Sequence, residues 1–157
     1  MIVDANQIEQ YANKLRRQNK IIVLVGGCFD ILHIGHIKFL QQSKKHGNHL
    51  MVLLESDTRV KQLKGNNRPL FDQNERAETL AAIRSVDSVL LLPPEIDDKG
   101  YKNIIKTIQP SVVSLTEHDP NVAKKQEQAL DIKAKLVIIP HFKTYSSSKL
   151  AMLLGIG

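Results

Sequence analysis

The sequence predicts an α/β fold, a Rossmann-like, doubly wound single domain with a five-stranded parallel sheet and helices on both faces. Three observations carry that reading. Five short apolar runs rich in Val, Ile and Leu recur along the chain: "IIVLV" (21–25), "HLMVLLES" (49–56), "SVLLLP" (88–93), "PSVVSLT" (110–116) and "AKLVIIP" (134–140). The runs are continuous rather than alternating, as strands buried on both faces of a parallel sheet require. Segments of helical periodicity separate them, which implies βαβ units with right-handed crossovers. In such sheets ligands bind beyond the carboxyl ends of the strands, at the point where strand order reverses.

Each element has a local reason. Residues 4–18 set Ile8, Tyr11, Ala12 and Leu15 at helical spacing, with Asp4 as the expected N-cap. This helix forms an N-terminal segment (1–19) ahead of a core spanning 20–154. After the first strand, "IGHIKFLQQSKKHG" (34–47) reads as an amphipathic helix closed by Gly47. "DTRVKQLKGNNRP" (57–69) is a polar stretch too long and too charged for a plain turn, and receives no regular element. Asp72 with Glu75 forms a capping box for a helix to about Arg84. "YKNIIKTIQ" (101–109) predicts a short helix. Asp119-Pro120 supplies an N-cap and an N1 proline for a helix to about Ile132, and "SSSKLAMLL" (146–154) a final one.

Composition narrows the function. The 157 residues suit one domain, and a single cysteine, Cys28, excludes an intramolecular disulfide and a CxxC metal knuckle. No apolar run approaches the roughly 18–20 residues that span a membrane. The opening "MIVDANQIEQ" lacks a basic-then-apolar leader, so a cytoplasmic protein without a membrane partner is expected. The net charge of +6 favours anionic partners. With only 4% aromatic residues and no RNP or helix-turn-helix signature, nucleic acid fits that charge less well than a small phosphate-rich ligand.

The segment "VGGCFDILHIGHIKFL" (25–40) concentrates the chemistry. A buried strand breaks at Gly26-Gly27, and two histidines follow in one first helical turn. The spacing fails the dinucleotide fingerprint G-x-G-x-x-G, and no Gly-Lys-Ser/Thr completes a P-loop. A zinc site from Cys28, His33 and His36 is disfavoured, since helical zinc pairs usually sit at i, i+4 and no further cysteine completes the set. Either histidine alone reads as a helix cap or a satisfied polar residue. Two on one face, at a helix N-terminus whose free amides and dipole attract anions, read as a phosphate-handling geometry.

"GCFDILHIGH" (27–36) resembles the H-x-G-H signature of the nucleotidyltransferase superfamily, which includes cytidylyltransferases and adenylyltransferases. "ESDTRVKQLKGNNRPLFDQNERAETLAAIRSVDSVL" (55–90) looks very like the middle of the sugar-phosphate adenylyltransferase domain that makes ADP-heptose, and is similar to glycerol-3-phosphate cytidylyltransferase. "YSSSKL" (145–150) is similar to the family's third motif, a serine/threonine run before a helix. The three blocks occur in order and cover most of residues 20–154.

The resemblance implies a reaction in which a phosphorylated alcohol attacks the α-phosphorus of a nucleoside triphosphate in line and releases pyrophosphate. The protein's task is then positioning and electrostatic stabilisation. His33 and His36 would donate to α- and β-phosphate oxygens, with Lys64 as a mobile cation and Lys61 as its understudy. Gly26, Gly27 and Gly35 would let backbone approach the nucleotide, next to Cys28 and Phe29. Ser146, Ser147, Ser148 and Lys149 would offer hydroxyls, amides and charge to the β- and γ-phosphates, and Asp119 would lie near the base. Arg68 would contact the acceptor. Arg76 would reach a phosphate or else pair with Asp72. Asp30 would anchor the loop or orient a Mg²⁺-bound water. Mg²⁺ itself would be held mainly by the triphosphate, as this ion usually is.

Two departures bear on the substrates. Where the sugar-phosphate adenylyltransferases read like K-G-G-D-Y, this chain has "TEHDP" (116–120). Where glycerol-3-phosphate cytidylyltransferases carry an Arg before the serine motif, it has "HFKTY" (141–145), leaving His141 or Lys143 as substitutes. The expected function is therefore adenylyl transfer from ATP to a sugar 1-phosphate. The alternatives are cytidylyl transfer to a polyol or amino-alcohol phosphate, and a nucleotide-binding module without catalysis. A homodimer is expected, and a separate protein as the acceptor's kinase.

Overall fold

The computed structural model describes residues 1–142, 144, 146–153 and 155, with the backbone alone of Ser147. Among these residues six strands form one all-parallel sheet: β1 (Ile2–Asp4), β2 (Ile22–Gly27), β3 (His49–Leu54), β4 (Ser88–Leu91), β5 (Val112–Thr116) and β6 (Lys135–Ile139). Their spatial order is β1-β4-β3-β2-β5-β6. Among the described residues seven helices connect or follow them: α1 (Ile8–Arg17), α2 (Ile34–Lys44), α3 (Asp57–Lys64), α4 (Gln73–Ala81), α5 (Asp98–Ile108), α6 (Val122–Asp131) and α7 (Ser147–Leu153).

The five expected strands are all present, and their continuous apolar pattern has the expected cause. All six residues of β3 are buried, because helices cover both faces. On one face Val23, Val25, Leu50, Val52 and Val89 pack against Phe39 and Leu40 of α2 and Leu80 of α4. On the other, Leu24, Met51, Leu53 and Leu90 pack against Leu15 of α1 and Ile105 of α5.

The sixth strand is a correction. β1 has three residues and one inward side chain, Val3, too little for a period. Pairing with β4 creates it (Val3 opposite Leu90), and the Met1 amine donates to the Asp87 carbonyl at 3.0 Å. As a result α1 starts at Ile8, after a 3₁₀ turn at Ala5–Gln7 closed by the Asp4 amide on Gln7 Oε1 at 3.4 Å. Residues 57–64 are also corrected, from an irregular stretch to α3. Ser56 Oγ caps it by accepting from the Arg59 amide at 3.2 Å, and only Val60 is buried, so the sequence gives it no apolar stripe. The expected Asp72 box is closed in both directions at 3.0 Å. Asp119 instead sits before α6, whose N-cap is Asn121.

Strand order reverses between β2 and β5. From β2 the sheet runs through β3 and β4 to one edge, and through β5 and β6 to the other. The Gly26-Gly27 break therefore lies at the carboxyl end of the strand where such folds bind ligands. No helix among the described residues is long and apolar enough to cross a membrane.

Candidate active site

Beyond β2 the chain turns sharply over two residues. Phe29 takes a left-handed backbone (φ +44°) and folds its ring back over Gly27. A Cβ on Gly27 would stand 2.9 Å from that ring, so glycine is required there by packing. The Phe29 ring then meets His36 at 5.3 Å between centroids.

Asp30 fixes the turn. Its Oδ1 accepts from the Leu70 amide at 2.8 Å, and its Oδ2 pairs with Arg68 Nε, with both side chains buried. α2 starts at its cap, His33, whose Nδ1 accepts from the Gly35 amide at 3.1 Å. An accepting Nδ1 puts the proton of the neutral ring on Nε2 and leaves that N–H to donate elsewhere. The His33 and His36 rings lie 3.9 Å apart. A Cβ on Gly35 would come within 2.9 Å of the His33 ring, so a side chain there would break this contact.

Both imidazoles are held neutral. Burial, His33 and Lys64 push His36 down to about 4, and burial, Lys64 and His141 lower His33. The enclosed Nδ1 of His36 has no hydrogen-bond partner, which leaves Nε2 as the nitrogen able to meet a ligand.

Two cavities meet at this junction. The smaller, about 180 Å³, is lined by Gly26, Gly27, Phe29 and His36 with Lys64 and Asp119. The larger, about 670 Å³, opens between α3, α5 and α6 and shares Gly26, Gly27, Cys28, Lys64 and Asp119. Ser148 reaches it from α7. Burial raises the Cys28 thiol despite Lys64 nearby, so this cysteine stays protonated near neutral pH. Asp119 accepts from the Asn121 amide at 2.8 Å and from Lys125 Nζ at 2.7 Å.

Other residues singled out from the sequence lie elsewhere. Arg68 and Arg76 line neither cavity. Arg68 is buried with its Nε on Asp30 and its enclosed Nη2 without a hydrogen-bond partner, away from both cavities rather than facing an acceptor in either. Arg76 does not pair with Asp72, and its guanidinium is turned to other protein acceptors. It is buried, and donates from Nε to Phe71 O at 3.1 Å, from Nη1 to Cys28 O, and from Nη2 to Glu55 O at 2.9 Å and Asp57 Oδ1 at 2.7 Å. Lys61 and Lys149 are exposed and line neither cavity. Ser146 is the cap of α7, accepting from the Lys149 amide at 3.2 Å. The Ser147 side chain and Lys143 fall outside the described residues. His141 packs on His118 at 5.5 Å, and its amide donates to Glu117.

The sequence reading missed Glu55, Arg59, Tyr101 and Lys125, all of which line the larger cavity. Glu55 carried a signal, because it directly follows a buried strand next to the glycine break. Tyr101 and Lys125 carried none, since only the packing of α5 and α6 brings them in.

Comparison with known proteins adds an independent line. The model of the cytidylyltransferase-like family matches residues 24–150. The bifunctional protein HldE of Koribacter versatilis is 33% identical over 150 residues, covering 95% of this chain and 30% of that protein. HldE of Campylobacter fetus is 46% identical over 100 residues, or 64% of this chain and 21% of that protein. The chain thus spans about a fifth to a third of the length of the curated relatives it matches. Among solved structures, a lipopolysaccharide core biosynthesis protein from Thermoplasma volcanium superposes with a TM-score of 0.62 at 28% identity, covering 80% of this chain and 99% of that one. Pantoate-beta-alanine ligase from Francisella tularensis, at 18% identity and a TM-score of 0.66 over 94% of this chain and 71% of that one, shares the fold.

Proposed function

The chain belongs to the cytidylyltransferase-like family, and from that premise we propose that it is a nucleotidyltransferase joining a nucleoside monophosphate from ATP to a sugar 1-phosphate. The reaction forms a bond from the acceptor's phosphate oxygen to the α-phosphorus and breaks the α–β anhydride bond. Pyrophosphate carries away the negative charge. The observation that carries the reading is the adjoining His33–His36 pair at the head of α2, beside the Gly26-Gly27 strand end at the reversal of strand order.

The chemistry follows from that pair. A neutral imidazole donates from Nε2 without the cost of burying a cation, and charge growing on the bridging and leaving oxygens strengthens those bonds. The positive end of the α2 dipole acts in the same direction. Lys64 lines both cavities and so can serve the triphosphate and the acceptor phosphate. Ser148 supplies a hydroxyl to the larger cavity.

Among the described residues no group of three or more His, Cys, Asp or Glu side chains is placed to hold a metal. Mg²⁺ accordingly enters the proposal as part of the nucleotide substrate, on triphosphate oxygens. The choice of a sugar phosphate rests on the resemblance of residues 55–90 to the ADP-heptose-forming domain, and the similarity to HldE proteins supports it.

A pyrophosphate-release assay tests the proposal, with ATP and CTP each offered a panel of sugar, polyol and amino-alcohol phosphates. Turnover with ATP and a sugar 1-phosphate is expected. Turnover confined to CTP would move the protein to the cytidylyl branch, and nucleotide binding without pyrophosphate from any acceptor would remove the enzymatic reading.

A further inference from the structure

Four acids line the larger cavity: Glu55, Asp97, Asp98 and Asp119. Three are already engaged. Asp119 is bound by Lys125 and the Asn121 amide, Asp98 pairs with Lys124, and Asp97 caps α5 by accepting from the Gly100 amide at 2.7 Å. The Glu55 carboxylate has no hydrogen bond or ion pair among the described residues. Arg59, Lys125 and Arg76 act on it only through their fields.

The backbone of Glu55, by contrast, is fixed from both sides. Its amide donates to Gly27 O at 3.1 Å, and its carbonyl accepts from Arg76 Nη2 at 2.9 Å. The side chain is therefore held in place at the junction and half-buried, with its acceptor oxygens unmet. Burial raises its carboxyl pKa, the mark of an acid that lacks donors. Such a carboxylate keeps its acceptor capacity for a ligand in the cavity.

The charge pattern decides what completes it. A phosphate is excluded beside a carboxylate by like-charge repulsion. An ammonium would enter the combined fields of Arg59, Lys125 and Arg76. A neutral hydroxyl donor meets neither penalty.

In-line displacement decides which substrate brings the hydroxyl. If pyrophosphate departs along the head of α2, the attacking oxygen comes from the opposite side of the α-phosphorus. His36 lines the smaller cavity and Glu55 the larger, and the two meet at Gly26, Gly27 and Cys28, so a displacement running from one cavity to the other brings the attacking oxygen in on the side of Glu55. We propose that Glu55 determines acceptor specificity, taking hydrogen bonds from sugar hydroxyls and selecting a polyhydroxylated phosphate over an amino-alcohol phosphate. The assignment rests on the nucleotidyltransferase reading above, from which it takes the direction of attack.

The test is a binding contrast that does not need turnover. With a non-hydrolysable ATP analogue present, titration calorimetry compares mannose 1-phosphate, phosphoethanolamine and inorganic phosphate. The wild type should prefer mannose 1-phosphate by about tenfold or more, the scale of hydrogen bonds to a charged acceptor. Glu55→Ala should erase that preference, and Glu55→Gln should keep part of it, because the amide oxygen still accepts. Both variants should bind the nucleotide analogue within about twofold of wild type and melt no lower, because no protein partner is lost.

The assignment is overturned if the wild type shows no preference, if phosphoethanolamine binds as well or better, or if Glu55→Ala leaves the preference intact. A loss in Glu55→Ala of discrimination between ATP and 2′-deoxyATP would also overturn it, giving the carboxylate to the ribose. Failure of the pyrophosphate assay with every acceptor would instead strike the parent reading, independently of these affinities.

Discussion

The β2–α2 junction and the segment from α3 to α4 both looked like phosphate-binding machinery, but they are built on opposite principles. At the junction, polar groups are left with capacity to spare: His33 and His36 each keep an Nε2, and Gly26 and Gly27 present bare backbone to the cavities. In the segment from α3 to α4 the arginines are turned inward. Arg76 directs its guanidinium at three carbonyls and a carboxylate, and Arg68 is buried against Asp30. One region is organised to be completed by a ligand, while the other holds it rigid. A basic residue is informative about ligands only once its donors have been counted.

The largest expected effect breaks the comparison from the scaffold side. Arg76→Met removes the link between the Cys28 carbonyl, the Glu55 carbonyl and Asp57 and leaves those acceptors unpaired. A stability loss of about 3–5 kcal/mol is expected in urea unfolding, the range for breaking a buried charged pair. A loss below about 1 kcal/mol would mean that Arg76 is spare, as a ligand-binding residue would be.

His36→Ala makes the opposite cut. Turnover should fall by about 10²–10³ with nucleotide binding largely retained, as for removal of one transition-state donor. Normal turnover would remove the histidine pair from the mechanism.

The same histidine sharpens the contrast through pH. With a folded pKa of about 4 against 6.5, the unfolded chain binds the proton first as pH falls. The corresponding stability is present above pH 6.5, lost progressively down to about 4, and amounts to about 3 kcal/mol. In His36→Phe the melting temperature should fall less steeply over that window. An identical slope would mean that His36 is not held neutral by the fold.

The smallest effect belongs to the two lysines of α3. Lys61→Ala, on the exposed surface, should change kcat/KM by less than about twofold. Lys64→Ala, at the meeting of the cavities, should cost at least about tenfold, in the range of charge-assisted contacts. Equal losses would restore Lys61 as a partner in the site.

What the sequence made legible follows the same division. The strands of the core were readable because burial on both faces forces an unbroken apolar run, and the junction because two adjacent glycines and two histidines at one helix start have few structural uses. β1 was hidden because a three-residue edge strand exists only through its partner, β4. α3 was hidden because a helix with Val60 alone buried has no periodic stripe. The arginines were misjudged because charge is visible in a sequence and burial against protein acceptors is not. Glu55 went unremarked because its lack of a partner is a property of the folded cavity.

The way Phe29 lies over Gly27 has an evolutionary consequence. The ring occupies the space a side chain at 27 would need, so the two positions form an epistatic pair. A smaller residue at 29 would permit bulk at 27, and that bulk would fill the mouth of the smaller cavity from within. Drift at either site alone is penalised, and a coupled change would reshape the smaller cavity without touching a histidine.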